Sequence, residues 1–180
     1  MRVIAIVQAR LGSIRLPEKV LQNICNKPLI ELLLARLSHS TQLDEIIVAT
    51  SKEPKNDTLQ LLVESLGFQC TRGSEEDVLH RFYESAKEMD ADVVVRVTGD
   101  CPLIDPVIVD QCINKFKEGN LDYFSNIDPA TFPDGLDVEV ISFKALEQAN
   151  IEAISSYDRE HVSTYIRNSE KFLKSSIRHI

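Results

Sequence analysis

Three apolar runs, rich in β-branched residues, constrain the fold of this chain more than any other feature. They are RVIAIVQ at residues 2–8, EIIVAT at 45–50 and DVVVRVT at 92–98. Their nearly continuous apolar character predicts strands that are buried on both faces of a sheet. The stretches between them show helical spacing of apolar residues, as in residues 29–37. This alternation predicts an α/β domain, with a mostly parallel sheet and helices on both faces.

Turn and capping residues predict where the other elements lie. Pro28 precedes the first helical stretch, Asn56 or Asp57 is suited to start a second helix, and Gly67 is suited to end it. Ser74, followed three residues later by Asp77, has the spacing of a helix-capping pattern. Further helices are predicted at 106–117, 143–154 and 158–168, and further strands at 68–71 and 136–142. No linker or internal repeat divides the chain, so we expect a single domain over residues 1–180.

Composition narrows the classes of partner. With 180 residues, 43% of them apolar and 27% charged, the chain fits one soluble globular domain. A net charge of −8 argues against general binding to nucleic acid or to anionic membranes. The apolar runs are far shorter than the roughly 20 residues that span a bilayer, and no secretory cleavage site follows the first run. We therefore expect a cytoplasmic protein that binds neither nucleic acid nor membrane.

The four cysteines and four histidines are scattered, and no CxxC pair occurs. This spacing disfavours a zinc site and indicates buried free thiols in a reducing cytoplasm.

A basic loop, ARLGSIRLPEK at residues 9–19, follows the first predicted strand. Gly12 and Ser13 allow backbone amides to approach an anion, while Arg10, Arg15 and Lys19 supply positive charge. The loop matches neither the dinucleotide pattern GxGxxG nor the P-loop pattern. It therefore indicates a phosphate site of another kind. The alternative is a solvated loop that forms ion pairs with the acidic body of the protein.

An acidic loop, TGDCPLID, follows the third apolar run. In open parallel sheets, ligands bind at the carboxyl ends of the strands, so this loop and the basic loop are expected to meet across one cleft. Asp100 there suits Mg²⁺, which binds one or two carboxylates together with substrate phosphates. The alternative, that an aspartate simply caps the next helix, fits Asp105 better than Asp100.

Three further stretches carry candidate ligands. In FPDGLDVEV, strand alternation places Asp137 and Glu139 on one face, where they suit a second metal position or sugar hydroxyls, although an exposed edge strand would show the same pattern. Glu160 and His161 lie in the helical stretch SSYDREHV. Arg72 precedes a helix whose amide terminus could face an anion.

Together these stretches resemble a known family. AIVQARLGSIRLPEKVL, RGSEEDVLHRF, VRVTGDCPLID, DGLDVEV and REHVSTYI match, in order and spacing, the cytidylyltransferases that activate acidic sugars. That family includes acylneuraminate and 3-deoxy-manno-octulosonate enzymes, and the match is closest to the branch named for spore-coat polysaccharide biosynthesis protein F. The resemblance implies a Rossmann-like nucleotidyltransferase fold, a homodimer, and an Mg²⁺-assisted reaction of CTP with a sugar, giving CMP-sugar and pyrophosphate for polysaccharide or glycan biosynthesis.

The resemblance also implies roles for individual residues. The nucleotide-binding set is Ala9, Arg10, Leu11, Gly12, Ser13, Arg15, Lys19 and Arg72, with Ala9 and Leu11 near the base. The catalytic set is Arg10, Arg15, Lys19 and Asp100, with Asp100 as the metal ligand. The sugar-binding set is Asp137, Glu139, Glu160 and His161.

Two departures from the family pattern have consequences. Glu18 stands where the family commonly has Gly in LPGK. Relatives also usually continue into a segment like TVDxPED, whose Asp completes the metal site, and residues 1–180 do not contain it, so we expect slow turnover from this chain. The alternatives are a UTP- or GTP-using sugar-phosphate nucleotidyltransferase and a nucleotide-binding module without activity.

Overall fold

A computed structural model describes residues 1–12 and 16–179. Its strands are β1 (Val3–Gln8), β2 (Asn23–Ile24), β3 (Lys27–Pro28), β4 (Glu45–Ser51), β5 (Gln69–Gly73), β6 (Val93–Thr98), β7 (Tyr123–Ser125), β8 (Glu139–Ser142) and β9 (Lys174–Ser176). Its α-helices are α1 (Leu29–Leu37), α2 (Asp57–Ser65), α3 (Val78–Glu88), α4 (Pro106–Gly119), α5 (Phe143–Glu152), α6 (Ser156–His161) and α7 (Thr164–Asn168). Two 3-10 turns, Lys19–Leu21 and Pro54–Asn56, precede α1 and α2.

One mixed sheet of seven strands, in the order β5-β4-β1-β6-β8-β7-β9, forms the centre of the molecule. Its first four strands are mutually parallel, and β9 is parallel to β7. Only β8 runs against its neighbours, pairing antiparallel with both β6 and β7 in the described sheet. The short strands β2 and β3 form a separate hairpin.

Alternate residues of the central strands feed two apolar cores. Val3, Ala5 and Val7 of β1 pack with the buried faces of α1, α2 and α4. Ile4 and Ile6 pack on the other face with α3 and α5. Because both faces of β1 are covered by helices, its side chains are apolar at every position up to Gln8, as the unbroken apolar run predicts. The predicted α/β class is confirmed.

Most predicted boundaries lie within two residues of the observed ones, but two predicted elements differ more, for identifiable reasons. The strand predicted at 136–142 begins only at Glu139, because the Asn126 side chain accepts from the Val138 amide at 2.8 Å and donates to the Leu136 carbonyl at 2.7 Å. The helix predicted at 158–168 is two helices, since Val162 between them adopts a positive φ of 58° and is fully buried.

Two expectations about composition can be compared directly with the structure. All four cysteines are free, as their spacing indicates, but only Cys101 and Cys112 are buried. Cys25 is exposed and Cys70 is half-buried, so the expectation of buried thiols is wrong for these two. Within the described ranges, every helix is too short or too polar to cross a bilayer.

Candidate functional site

The cleft lies where the strand order reverses, because β1 pairs with β4, the next strand of the same sheet, on one side and with β6 on the other. At its base the two loops approach closely, and the Gly99 amide donates to the Gln8 carbonyl at 2.7 Å. A Cβ at Gly99 would lie 2.8 Å from both the Gln8 oxygen and the Ala9 Cβ. Only glycine permits this approach, so the loops after β1 and β6 are fixed side by side.

Lys19 and Asp100 form an ion pair across this cleft. Partial burial alone would raise the pKa of the Asp100 carboxyl, but the hydrogen bond and charge of Lys19 outweigh it and lower the pKa. Asp100 is therefore a charged oxygen donor at neutral pH. The predicted basic and acidic loops do meet, and the meeting involves two of the predicted catalytic residues.

Arg10 shares one carboxylate with a second cation. Its Nη1 lies 3.3 Å from both the carbonyl oxygen and Oε1 of Glu75, while Lys55 Nζ lies 3.2 Å from the same Oε1. Burial opposes ionisation of Glu75, yet hydrogen bonds from Ser51 and Lys55 bring its pKa below the usual value. Two cations therefore face a single charged acid, which leaves positive charge available to an anion in the cleft.

The rest of the loop after β1 is held by its backbone. Ala9 and Leu11 are buried, and the Leu11 amide donates to Asn56 Oδ1 at 2.8 Å. A Cβ at Gly12 would lie within 3 Å of Lys55 Nζ and Glu75 Oε1, so the chain passes directly over this charge cluster. Two predicted phosphate ligands, Ser13 and Arg15, lie outside the described residues.

Arg72 already has acceptors for four of its five N–H donors. Its guanidinium donates to the carbonyls of Ser51 and Glu53, both at 2.9 Å, and to the side chains of Asp57 and Gln60 at 2.5 and 2.9 Å. These contacts fix the loop after β4 to the start of α2. Its contact with nucleotide stays a prediction.

Acidic side chains line the other side of the cleft. A cavity of about 410 Å³ lies between Asp100, Asp134 and Asp137. Partial burial, followed by the charges of Asp134 and Glu139, raises the pKa of Asp137. Burial raises the pKa of the neighbouring Cys101 thiol, which keeps it protonated at neutral pH. In residues 1–12 and 16–179, no three His, Cys, Asp or Glu side chains converge as a ready metal site.

Glu139 belongs to a row of hydrogen-bonded polar side chains that extends across four strands. Only 3% of the residue is exposed, and its carboxylate accepts from Arg96 and, at 2.7 Å, from the Tyr123 hydroxyl. Arg96 also donates to Gln8 Oε1 at 3.3 Å. Burial raises the pKa of Glu139, but the charge of Arg96 outweighs this effect and brings the pKa below its ordinary value. The carboxylate is thus enclosed, and its predicted contact with sugar stays a prediction.

Glu160 and His161 are exposed at the end of α6, where His161 packs on Tyr157 with ring centroids 4.3 Å apart. Arg159 anchors this helix through two contacts with Asp77, at 2.9 and 2.6 Å. Beyond the break at Val162, the Ser163 side chain hydrogen-bonds Glu139 and helps to lower its pKa. The α6–α7 junction therefore lies against β8, and Arg159 has a structural role there.

Comparison with known proteins agrees with this geometry. A family profile described as cytidylyltransferase matches residues 4–180. The chain belongs to the cytidylyltransferase family. The spore coat polysaccharide biosynthesis protein SpsF of Bacillus subtilis is 34% identical over 171 residues, covering 92% of this chain and 70% of that protein. The 3-deoxy-manno-octulosonate cytidylyltransferase of Pelobacter propionicus is 36% identical over 115 residues, covering 63% of this chain and 44% of that enzyme.

A solved cytidylyltransferase structure from Leptospira borgpetersenii superposes with a TM-score of 0.95 at 32% identity, covering 99% of this chain and 76% of that one. The resemblance inferred from the sequence motifs is therefore confirmed, as is the nucleotidyltransferase fold. The roles of individual site residues in this cytidylyltransferase stay predictions.

Two arginines of this cytidylyltransferase, the buried Arg81 and the half-buried Arg96, escaped the sequence analysis. Arg81 of α3 is 1% exposed, and burial lowers its pKa to about 10. It donates to the Ser74 carbonyl, while its Nε and Nη2 have no partner in the described parts of the chain. Arg96 interrupts the apolar run of β6. The sequence did contain a signal for Arg96: a charged residue stands within an apolar strand at a position where a hydrophobic residue is expected.

Proposed function

We propose that this chain transfers the cytidylyl group of CTP to a hydroxyl of a sugar, for the synthesis of a surface polysaccharide or glycan. The sugar oxygen attacks the α-phosphorus, the bond from that phosphorus to the bridging oxygen breaks, and pyrophosphate leaves as the hydroxyl proton is released. The observation that carries the proposal is the contact of Lys19 with Asp100, which brings a cation for phosphate and a charged oxygen donor into one cleft of a cytidylyltransferase fold.

The basic residues would act through position and charge. Arg10 and Lys19 line the phosphate side of the cleft, and the sequence adds Arg15 to them. Negative charge spreads over the phosphate oxygens during the transfer, so fixed cations stabilise the transition state without reorganising. Glu75 and Asp100 hold two of these cations in place before the nucleotide binds, and the triphosphate would displace those contacts.

The acidic side of the cleft fits Mg²⁺. Asp100 and Asp137 supply oxygen donors only, and Mg²⁺ is commonly bound by one or two carboxylates with substrate phosphates completing the shell. Partial burial is the main cause of the raised pKa of Asp137, and repulsion from Asp134 and Glu139 adds to it. A bound cation would relieve this repulsion. When bound, the metal would neutralise phosphate charge and lower the pKa of a nearby hydroxyl.

The decisive experiment is a pyrophosphate-release assay with CTP, UTP, GTP and ATP, each against a panel of acidic and neutral sugars. We expect release with CTP and Mg²⁺, and none when EDTA replaces the metal. Release with UTP or GTP in place of CTP would assign the chain to another nucleotidyltransferase class. Nucleotide binding without any pyrophosphate release would indicate the inactive module.

A homodimer stays a prediction of the family resemblance, and a cytoplasmic location stays a prediction from the sequence. Light scattering of the purified chain at several concentrations measures the first, and cell fractionation the second.

A further inference from the structure

Arg81 of α3 is a buried cation that has no counter-charge bonded to it in the described parts of the chain. Only 1% of the residue is exposed. Its one side-chain hydrogen bond there runs from Nη1 to the Ser74 carbonyl, and its Nε and Nη2 have no partner. An enclosed charge without an ionised partner opposes folding. A carbonyl needs only a neutral donor or water, so packing alone does not explain an arginine here.

The end of β5 is shaped to admit this side chain. Gly73 is the last residue of β5, and a Cβ at this position would lie 2.7 Å from Arg81 Cγ and 3.0 Å from Arg81 Cβ. The Gly73 carbonyl accepts from the Lys52 amide at 2.9 Å, which fixes the backbone there. The aliphatic stem of Arg81 therefore lies directly against the chain that leads into Ser74.

Two guanidinium groups hold consecutive carbonyls of this segment. Arg81 donates to the Ser74 carbonyl from the interior, and Arg10 Nη1 lies 3.3 Å from the Glu75 carbonyl on the side of the cleft. The Glu75 carboxylate in turn contacts Arg10 Nη1 at 3.3 Å and Lys55 Nζ at 3.2 Å. The position of Ser74 therefore determines where Glu75 holds these two cations.

The charge of Arg81 acts on the same cluster. Burial, followed by repulsion from Arg10, lowers the pKa of Arg81 to about 10, while the charges of Glu75 and Asp77 oppose this shift. Arg81 therefore stays protonated at neutral pH. Two arginines that repel each other are held close to one site, and a bound polyanion would relieve that repulsion.

We propose that Arg81 is a positioning residue for the phosphate side of the cleft, because it holds Ser74 and Glu75 where Glu75 presents Arg10 and Lys55 to the nucleotide. The inference rests on the proposed function, since it takes the triphosphate of CTP as the anion that these two cations bind. Arg81 itself does not touch the nucleotide.

The test uses Arg81→Met and Arg81→Lys in the whole chain. Methionine is unbranched and apolar, and it fills the space of the aliphatic stem without the charge, whereas lysine keeps the charge and a donor. Lys87→Met is the control, because Lys87 is an exposed cation on the same helix. The charge lost in Arg81→Met has no ionised partner, so its urea midpoint should stay near the wild-type value. A midpoint far below wild type that Arg81→Lys restores would show a structural requirement and overturn the inference.

Calorimetric titration of CTP measures the effect on the site. We expect Arg81→Met to raise the Kd about fivefold, which is less than the loss of Arg10 itself, because Arg10 remains but is less well placed. Arg81→Lys should stay within about twofold of wild type, and Lys87→Met should not change the Kd. An unchanged Kd in Arg81→Met would overturn the inference and leave the proposed function intact.

A double variant separates positioning from charge at a distance. Arg81→Met should raise the Kd by a smaller factor in an Arg10→Gln background than in wild type, because one of the contacts that it positions is already lost. The same factor in both backgrounds would show that the Arg81 charge acts independently of Arg10, and would overturn the positioning role.

Hydrogen exchange tests the contact without any nucleotide. The Asp77 amide donates to Ser74 Oγ at 3.0 Å, so its exchange rate reports on how firmly Ser74 is held. Exchange at Asp77 should be faster in Arg81→Met than in wild type, Arg81→Lys or Lys87→Met. If CTP does not bind to wild type, the proposed function fails, and this measurement still decides whether Arg81 holds the segment. An unchanged exchange rate at Asp77 in Arg81→Met would overturn the inference.

Discussion

Lys19 and Asp100 form an ion pair that connects the loop after β1 to the loop after β6. The two residues are 81 positions apart in sequence, and the close contact of Gly99 with Gln8 brings their loops together. Each partner neutralises the other in the free protein. A triphosphate and a divalent cation would take over these roles, so the pair gives a direct way to test the site.

The first prediction concerns Asp100→Asn. The change keeps the shape of the side chain and removes the charge that would bind the metal, so Mg²⁺-dependent kcat should fall by about a hundredfold or more. CTP binding in EDTA should be nearly unchanged. Asp105→Asn is the matched control in the same loop, because Asp105 caps α4 by accepting from the Val107 amide and Asn caps equally well. Wild-type turnover in Asp100→Asn would remove this residue from the mechanism.

Arg10→Gln should weaken CTP binding. Arg10 shares Glu75 with Lys55, so the free protein loses only two long contacts, both with Glu75. The nucleotide loses a charge-assisted partner worth roughly 1.5–3 kcal/mol, or about tenfold or more in Kd. Calorimetric titration measures this. Arg2→Gln, at the opposite end of β1, removes the same charge and should leave CTP affinity unchanged. An unaltered Kd in Arg10→Gln would refute the phosphate assignment. The basic-loop sequence predicts the same loss for Arg15→Ala.

Glu139→Gln tests the row of hydrogen-bonded polar side chains. It leaves the Arg96 guanidinium without a counter-charge, and breaking such a pair typically costs about 3–5 kcal/mol. The exposed pair between Lys115 and Glu118 offers the same substitution, Glu118→Gln, at a cost of about 1 kcal/mol or less. Urea unfolding at pH 7 should separate the two variants clearly. Similar losses of unfolding free energy in the two variants would mean that the buried ion pair stabilises the protein no more than a surface ion pair does.

The difference in stability between wild type and Glu139→Gln should change with pH in a defined direction. The folded-state pKa of Glu139 is below its unfolded value, so its ionised form contributes stability above the unfolded pKa of about 4.3, and this is lost as pH falls through the folded pKa. The stability difference between wild type and Glu139→Gln should therefore be constant from neutral pH to about 5 and shrink in stronger acid. A difference that grows on acidification would contradict this.

Glu18 has a left-handed backbone, with φ 52° and ψ 26°, just before the turn that carries Lys19. This conformation favours glycine at the position, because a side chain there costs roughly 1–2 kcal/mol. Glycine avoids this cost, but part of the gain is offset by the greater freedom of glycine in the unfolded chain. Glu18→Gly should therefore be about 1 kcal/mol more stable than Glu18→Ala. Both variants lose the same charge, so chemical denaturation isolates the backbone effect. An alanine variant that equals or exceeds the glycine variant would contradict this prediction.

The sequence predicted the central strands well, because apolar residues on both faces leave few alternatives to a covered parallel sheet. The short strand β9 escaped detection, since KSS has no apolar period. The break at Val162 was also missed, because a β-branched residue rarely adopts a positive φ and does so here while fully buried. Local pattern predicts elements, whereas tertiary packing determines such exceptions.

The sequence could predict which loops form the candidate site, but not the contacts that each side chain makes there. Topology brings the carboxyl ends of β1 and β6 together, so the meeting of the basic and acidic loops follows from the strand order. The orientation of each side chain does not follow from the strand order. Arg72 and Glu139 both have the polar character of ligands, yet Arg72 has protein acceptors for four of its five N–H donors and Glu139 is enclosed with Arg96. Only three-dimensional packing reveals these contacts.

The reversed direction of β8 has a consequence for how relatives of this chain can diverge. Because β7 ends and β8 begins at the same edge of the sheet, the segment between them leaves and re-enters the fold beside the cleft. Insertions or deletions there change the rim around the acceptor and leave the interior strands paired as before, provided the clamp from Asn126 to Val138 is kept. New acceptor preferences can therefore arise in evolution by altering the length of one hairpin connection, without redesign of the nucleotide half.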